Sequence, residues 1–300
     1  MRYTFYYDGP SAGEVHVGFY YEDGIVPMVD VTDPLRPEDM LSLEPGTLER
    51  LNTLYHAIAR GEVPAEKKSF PLAPLLLSPD ANVFCVGRNY RSVAQDMNRA
   101  TSKDIQTLER PAFFYKPNRA ITPSGSSIVA CGDDTQNLDY EGEIGIIIGK
   151  QGKDIPLEEA ESYIYGYTAC NDVSARDVMK AYYQMYKGKS MDTFAPIGPC
   201  IVTKEDIPDF RNMELETYIN HQLRQKGNTS ELLFDFPTII YYLSKAMTLM
   251  PGDVIMTGTP AGIGAAMDPP HFLQENDLVE VSVKGVGVLK NSVHIYSRHK

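Results

Sequence analysis

Residues 137–150 read NLDYEGEIGIIIGK, and the reading of this stretch decides the fold. Asp139, Glu141 and Glu143 occupy alternate positions, which share one face of an extended strand. The run IGIIIG at 144–149 continues that strand as a two-sided apolar segment, the pattern of a strand buried on both faces. Three carboxylates heading into an interior repel one another and lose hydration, so the arrangement demands positive charge nearby. Glutamates at i and i+2 place their Cβ atoms roughly 6–7 Å apart, close enough for both to converge on one divalent cation. The competing reading, a solvated edge strand, conflicts with the isoleucine run.

Outward from this segment, the chain from about residue 80 repeats short apolar strands broken by Gly and Pro. These are NVFCVG (82–87), PAFFYK (111–116), YIYGYTA (163–169), CIVTK (200–204), DVIMTG (253–258) and LVEVSV (278–283). Residues 1 to about 35 alternate apolar and polar residues between DGP and EDG turns, predicting antiparallel strands. Leu51, Leu54, Tyr55 and Ile58 fall at helical spacing, and PTIIYYLSKAM (237–247) predicts a second helix with proline in its first turn. EVPAEKKSFPLAPLLLSP (62–79) has the composition of a linker. The expectation is a strand-rich α+β protein, with a small N-terminal α+β domain plus linker over 1–78 and a main domain over 79–300.

The 300 residues are 43% hydrophobic and 23% charged, an ordinary globular composition, and the net charge of −12 argues against nucleic acid or an anionic membrane as partner. No run approaches the ~18 apolar residues of a membrane-spanning helix, and the opening residues lack a secretion-signal layout. The four cysteines (Cys85, Cys131, Cys170, Cys200) lie far apart with no C-x-x-C pair, which predicts reduced thiols and a cytoplasmic setting. The histidines are scattered without metal-site spacing.

Three further stretches bear chemistry. In YGYTACNDVSARD, Asp172 and Asp177 precede a helix-like start, where each is either an N-cap or a ligand. Oxygen-only donors favour Mg²⁺ or Mn²⁺ over zinc. In KGKSMDTFAPIGP, Lys189 is either a surface lysine or a cation beside the acids, able to hold a substrate anion or deliver a proton. MTGTPAGIG (256–264) offers backbone N–H groups and the Thr257 and Thr259 hydroxyls to an anion, or is a tight turn.

Taken together, VGRNY (86–90), FFYKP (113–117), LDYEGEIG (138–145), GYTACNDVSARD (166–177), GKSMDTFAPIGP (188–199) and MTGTPAGIG resemble the fumarylacetoacetate hydrolase superfamily, and its YisK-like bacterial subgroup most. The resemblance implies a mixed β-roll in the C-terminal domain, a homodimer, and Mg²⁺ or Mn²⁺ held by Glu141, Glu143 and Asp172. It implies Lys189 as a catalytic lysine, and Thr259, Gly258 and Arg88 as substrate-binding positions in their motifs. Members that hydrolyse C–C bonds carry a His-x-x-Glu pair just after NY. Here NYRSVAQDM puts Val93 at the histidine position and Asp96 at the glutamate position, leaving Asp96 as the catalytic candidate there. Met179 replaces a glutamine common after ARD. Valine accepts no proton, so the expectation shifts from hydrolysis to chemistry that needs only an electron sink on a small 2-oxo acid: decarboxylation of an oxaloacetate-like substrate, or keto–enol isomerisation. Hydrolysis of acylpyruvate-like diketo acids is the alternative, and a non-catalytic 2-oxo-acid-binding protein the other.

Overall fold

The structure is a computed structural model that describes residues 1–9, 14–33, 35–73, 75, 78, 80–93 and 108–298. Asp96 lies outside the described residues. The architecture is strand-rich α+β, as the alternation and the short apolar runs predict. Its centre is a ten-stranded sheet in which Gly142–Ile148 pairs antiparallel with Ile164–Asn171 on one side and Val254–Met256 on the other. Every residue of Gly142–Ile148 is buried, which settles its reading as an interior strand. Val83–Gly87 and Ala112–Lys116 extend the sheet beyond Val254–Met256. In the other direction, Ala195–Thr203 leads to the N-terminal strands.

Those N-terminal strands are continuous with the sheet. Arg2–Tyr7 pairs with Ala195–Thr203 through Arg2↔Val202 and Tyr3↔Ile201, and Val15–Tyr21 and Gly24–Pro27 follow outward. The helix Pro45–Ala59 buries Leu51, Tyr55 and Ile58 in the same apolar cluster as Tyr3, Phe5 and Phe19, as its spacing predicts. The stretch with linker composition runs alongside these strands: Lys68 and Ile25 exchange backbone hydrogen bonds of 2.8 and 3.0 Å, and Ala73 N–H donates to Phe5 O at 2.8 Å.

A second, five-stranded sheet runs in the order 222–228, 214–219, 278–283, 287–296 and 128–131. Its inward face packs on the central strand. A Cβ at Gly142 would stand 2.0 Å from Thr217 Oγ1. Only glycine fits there, so this residue lets the two layers close at the level of the acids. The helix Phe236–Leu243 is capped by Asp235, whose carboxylate accepts from Thr238 N–H at 3.0 Å.

Candidate active site

Sheet register explains how the acids meet. Cys170 faces Glu143 and Asn171 faces Gly142 across the antiparallel ladder, so Asp172, one step beyond, comes level with Glu141. Asp172 N–H donates to Glu141 O at 2.8 Å. Residues opposite one another, and two apart, share a face, which brings Glu141, Glu143 and Asp172 to one spot. All three are buried, with a ligand oxygen from each lying within 4.8 Å of the others.

Asp139 does not join them, contrary to the simple alternation. The chain runs as two pieces, Leu138–Asp139 and Gly142–Ile148, with Tyr140 and Glu141 between. The break turns Asp139 toward Arg176 instead, whose Nε donates to it at 2.8 Å. Asp139 also accepts from Gly264 N–H at 2.8 Å and Ala265 N–H at 3.0 Å, fixing the loop that follows TGTP.

Three cations compensate the acids. Lys189, only 3% exposed, sets its ammonium 2.9 Å from Glu141 Oε2 and in contact with Asp172 Oδ2, with the Phe114 ring centroid 4.9 Å away. It is no surface lysine. Arg176 donates from Nη1 to Glu141 Oε1 at 2.6 Å, and the fully buried Lys116 stands 2.7 Å from Asp172 Oδ1. Burial pushes the Glu141 carboxyl up, but Lys189 and Arg176 outweigh it and hold the group down at about 2. Glu143 goes the other way. Burial raises its carboxyl well above the usual range, Asp172 and Glu141 add to that, and the Gly258 N–H opposes it. Burial works against the Lys189 charge, yet Asp172 and Glu141 raise its pKa overall, so it stays an ammonium. Three buried carboxylates converging at the ends of paired strands are a hard-oxygen donor set that could hold a divalent cation.

A cavity of about 350 Å³ opens over this group. Glu141, Glu143, Lys189 and Arg176 form its polar floor, and Val86, Val93, Phe114, Met179, Met185 and Ile263 its apolar wall. Arg88 stands at the rim, exposed, in a left-handed backbone conformation with φ 57°. Thr259 lines the cavity too, but its hydroxyl is committed: it donates to Gly142 O at 2.8 Å and accepts from Gln225 Nε2 at 2.7 Å.

Gly258 acts through its backbone. Rather than lining the cavity, its N–H donates to Glu143 Oε2 at 2.6 Å and aims that carboxylate. The ladder causes this, because Met256 pairs with Gly145 and two further residues along puts Gly258 beside Glu143. Asp177 is structural, accepting from Thr135 Oγ1 at 2.6 Å and Gln136 N–H at 2.8 Å.

The profile of the fumarylacetoacetate (FAA) hydrolase C-terminal domain matches residues 82–294, a span that holds every acid and cation of the site. The chain belongs to the fumarylacetoacetate hydrolase family. Among relatives of this family, oxaloacetate tautomerase YisK of Bacillus subtilis is 40% identical over 215 residues, 72% of this chain and 70% of that protein. The solved structure of a fumarylacetoacetate hydrolase from psychrophilic Exiguobacterium antarcticum superposes with a TM-score of 0.79 at 34% identity, covering 99% of this chain and 100% of that one. A 5-carboxymethyl-2-hydroxymuconate delta-isomerase from Mycobacterium smegmatis gives 0.70 at 30% identity, covering 99% of both chains. Hydrolase, isomerase and tautomerase thus share this family scaffold, and this chain is an enzyme of that general kind.

Three participants went unassigned in the sequence reading. Lys116 had a signal, since a charge two residues beyond Phe114 on an apolar strand must point inward with it. Arg176 stands in the ARD motif. Gln225, whose Oε1 accepts from Gly142 N–H at 2.9 Å, sits in a polar strand that gives no hint of burial.

Proposed function

We propose that this protein is a Mg²⁺- or Mn²⁺-dependent enzyme that interconverts the keto and enol forms of a small 2-oxo dicarboxylic acid of the oxaloacetate kind. One observation carries the reading: Val93, a side chain that accepts no proton, stands in the wall of the cavity that Glu141, Glu143 and Lys189 also line. Tautomerisation moves one proton from C3 to the 2-oxygen and forms no bond to water, so it needs charge stabilisation and a proton carrier rather than an activated water. Glu141, Glu143 and Asp172 would hold the divalent cation, which would supply Lewis-acid stabilisation of negative charge on the substrate oxygens.

The chain's own groups stabilise the charge. Lys189, kept charged by its two carboxylate neighbours, hydrogen-bonds the 2-oxygen as the C3 proton leaves to a solvent water at the open cavity mouth, and protonation of that oxygen from solvent completes the enol. Arg176 Nη2 is buried with no hydrogen-bond partner among the described residues, a donor free for a substrate carboxylate. Four carboxylates, counting Asp139, face the buried Lys116 and Lys189 and the partly buried Arg176. With a divalent ion held there the balance would turn positive, and Arg88 would add to it at the rim, which suits a dianion. The 40% identity to an oxaloacetate tautomerase supports the same substrate class.

The test follows the enol absorbance of oxaloacetate with Mn²⁺ and purified protein, beside pyruvate release and acylpyruvate cleavage. Glu141-dependent tautomerisation is expected to outrun both. Turnover surviving unchanged in Glu141→Ala would sink the reading, and no turnover on any 2-oxo acid would favour a binding protein. Hydrolysis of acylpyruvates is the second reading, supported by the likeness to a solved fumarylacetoacetate hydrolase. Faster hydrolysis than tautomerisation would establish it.

The same proposal places the enzyme in the cytosol as a homodimer. All four cysteines are buried and unpaired, as in a reducing compartment. No helix among the described residues is long and apolar enough to cross a membrane. Tyr182, Tyr183, Met185 and Tyr186 form an exposed apolar patch beside the cavity, at 61, 93, 37 and 53% exposure, the kind of surface a second copy covers. Light scattering reads the oligomeric state.

A further inference from the structure

We propose that Lys116 is a positioning residue that sets the distance between Asp172 and Lys189, and with it the affinity of the acidic group for a divalent cation. The inference rests on the cation site of the proposed function. Lys116 ends the strand Ala112–Lys116 and is fully buried. Its ammonium donates to Phe194 O at 2.7 Å, to Val173 O at 3.1 Å and to Lys189 O. These carbonyls belong to three separate segments: the turn after Ile164–Asn171, the end of the helix Met185–Lys189, and the residue before Ala195–Thr203.

An ammonium has three hydrogens, and here three carbonyls take them. Asp172 Oδ1 is the fourth oxygen, 2.7 Å from Nζ in a buried ion pair, and no group other than Lys116 reaches it. The charge of Lys116 therefore draws Asp172 into place and still leaves that oxygen a lone pair for a cation. Phe114, two residues earlier and on the same face, lies under the Lys189 ammonium at 4.9 Å. One strand end thus grips both the backbone and the side chain of Lys189.

Two effects compete on removing Lys116. Losing a positive charge beside a ligand would strengthen cation binding if Asp172 stayed put. Losing the group that orients a ligand typically weakens binding 10–100-fold. The inference predicts the second.

The experiment measures Mn²⁺ binding by calorimetry, without substrate, on wild type, Lys116→Met and Lys116→Ala, with thermal unfolding recorded for each. Expected is a loss of about 10–100-fold in both folded variants, with partial recovery in Lys116→Ala on adding propylamine, which refills the ammonium position. Unchanged or tighter Mn²⁺ binding overturns the inference. So does a weakening that propylamine does not touch, since that marks a packing role alone, and so does failure of both variants to fold with or without the amine. Wild type binding no Mn²⁺ would instead count against the functional reading, and wild type binding Mn²⁺ without turnover would leave the Lys116 result standing.

Discussion

Val93 holds the position that, by the resemblance of NYRSVAQDM to the family motif, would carry the histidine of a hydrolytic member. It is 6% exposed on the cavity wall, so a side chain placed there faces the substrate. Val93→His is expected to raise acylpyruvate hydrolysis by on the order of 10² or more, the usual worth of a general base, and to leave tautomerisation little changed. A diketo-acid absorbance assay checks both. Arg176 tests a different quality. Its fork spans Asp139 at 2.8 Å and Glu141 at 2.6 Å, and a lysine point charge cannot span both. Arg176→Lys is expected to weaken Mn²⁺ binding about 10–100-fold, read by calorimetry, with the fold retained. At this scale the sequence was legible where charge had to be explained: Glu141, Glu143, Asp172 and Lys189 converge as their motifs imply. The Gly258 N–H that aims Glu143 was not legible, because a backbone donor leaves no side-chain signature.

The pairing of the central strands places the site, and glycine governs how closely the two layers approach. Gly142→Ala puts a methyl 2.0 Å from Thr217 Oγ1, and overpacking of this kind costs about 1–3 kcal/mol. Thr217 Oγ1 has no hydrogen-bond partner among the described residues, so Thr217→Ala removes the clash at small cost. The double variant Gly142→Ala/Thr217→Ala is expected to regain most of the loss, and a denaturant-unfolding double-mutant cycle measures the coupling. The buried central strand was readable from IGIIIG because burial on both faces leaves a continuous apolar run. The break at Tyr140–Glu141 was not, since alternation in sequence persists where the strand itself stops. That is why Asp139 was grouped with the acids.

Over the whole molecule, the N-terminal strands and the family domain share one sheet and one apolar cluster that includes Tyr3, Phe5, Ile197 and Ile201. Composition separates the two parts, but strand pairing across residues 2–3 and 201–202 is a long-range contact that no local pattern announces. Deleting residues 1–78 would bare the edge of Ala195–Thr203 together with that cluster, a template for aggregation. The truncated chain is expected in the insoluble fraction on expression, whereas an independent domain would stay soluble. A cation bound only by the folded state stabilises it by about 2.7 kcal/mol at a hundredfold excess over its Kd. Mn²⁺ is therefore expected to raise the Tm and EDTA to lower it, with no such shift in Glu143→Gln.

The thiols offer a clock for this coupling. Cys170 lies across the ladder from Glu143, and burial pushes both its thiol and that of Cys85 upward. Neither sulfur meets an alkylating reagent until the middle of the sheet parts. Trapping rates at these two positions would therefore time the opening of the protein's centre, strand by strand.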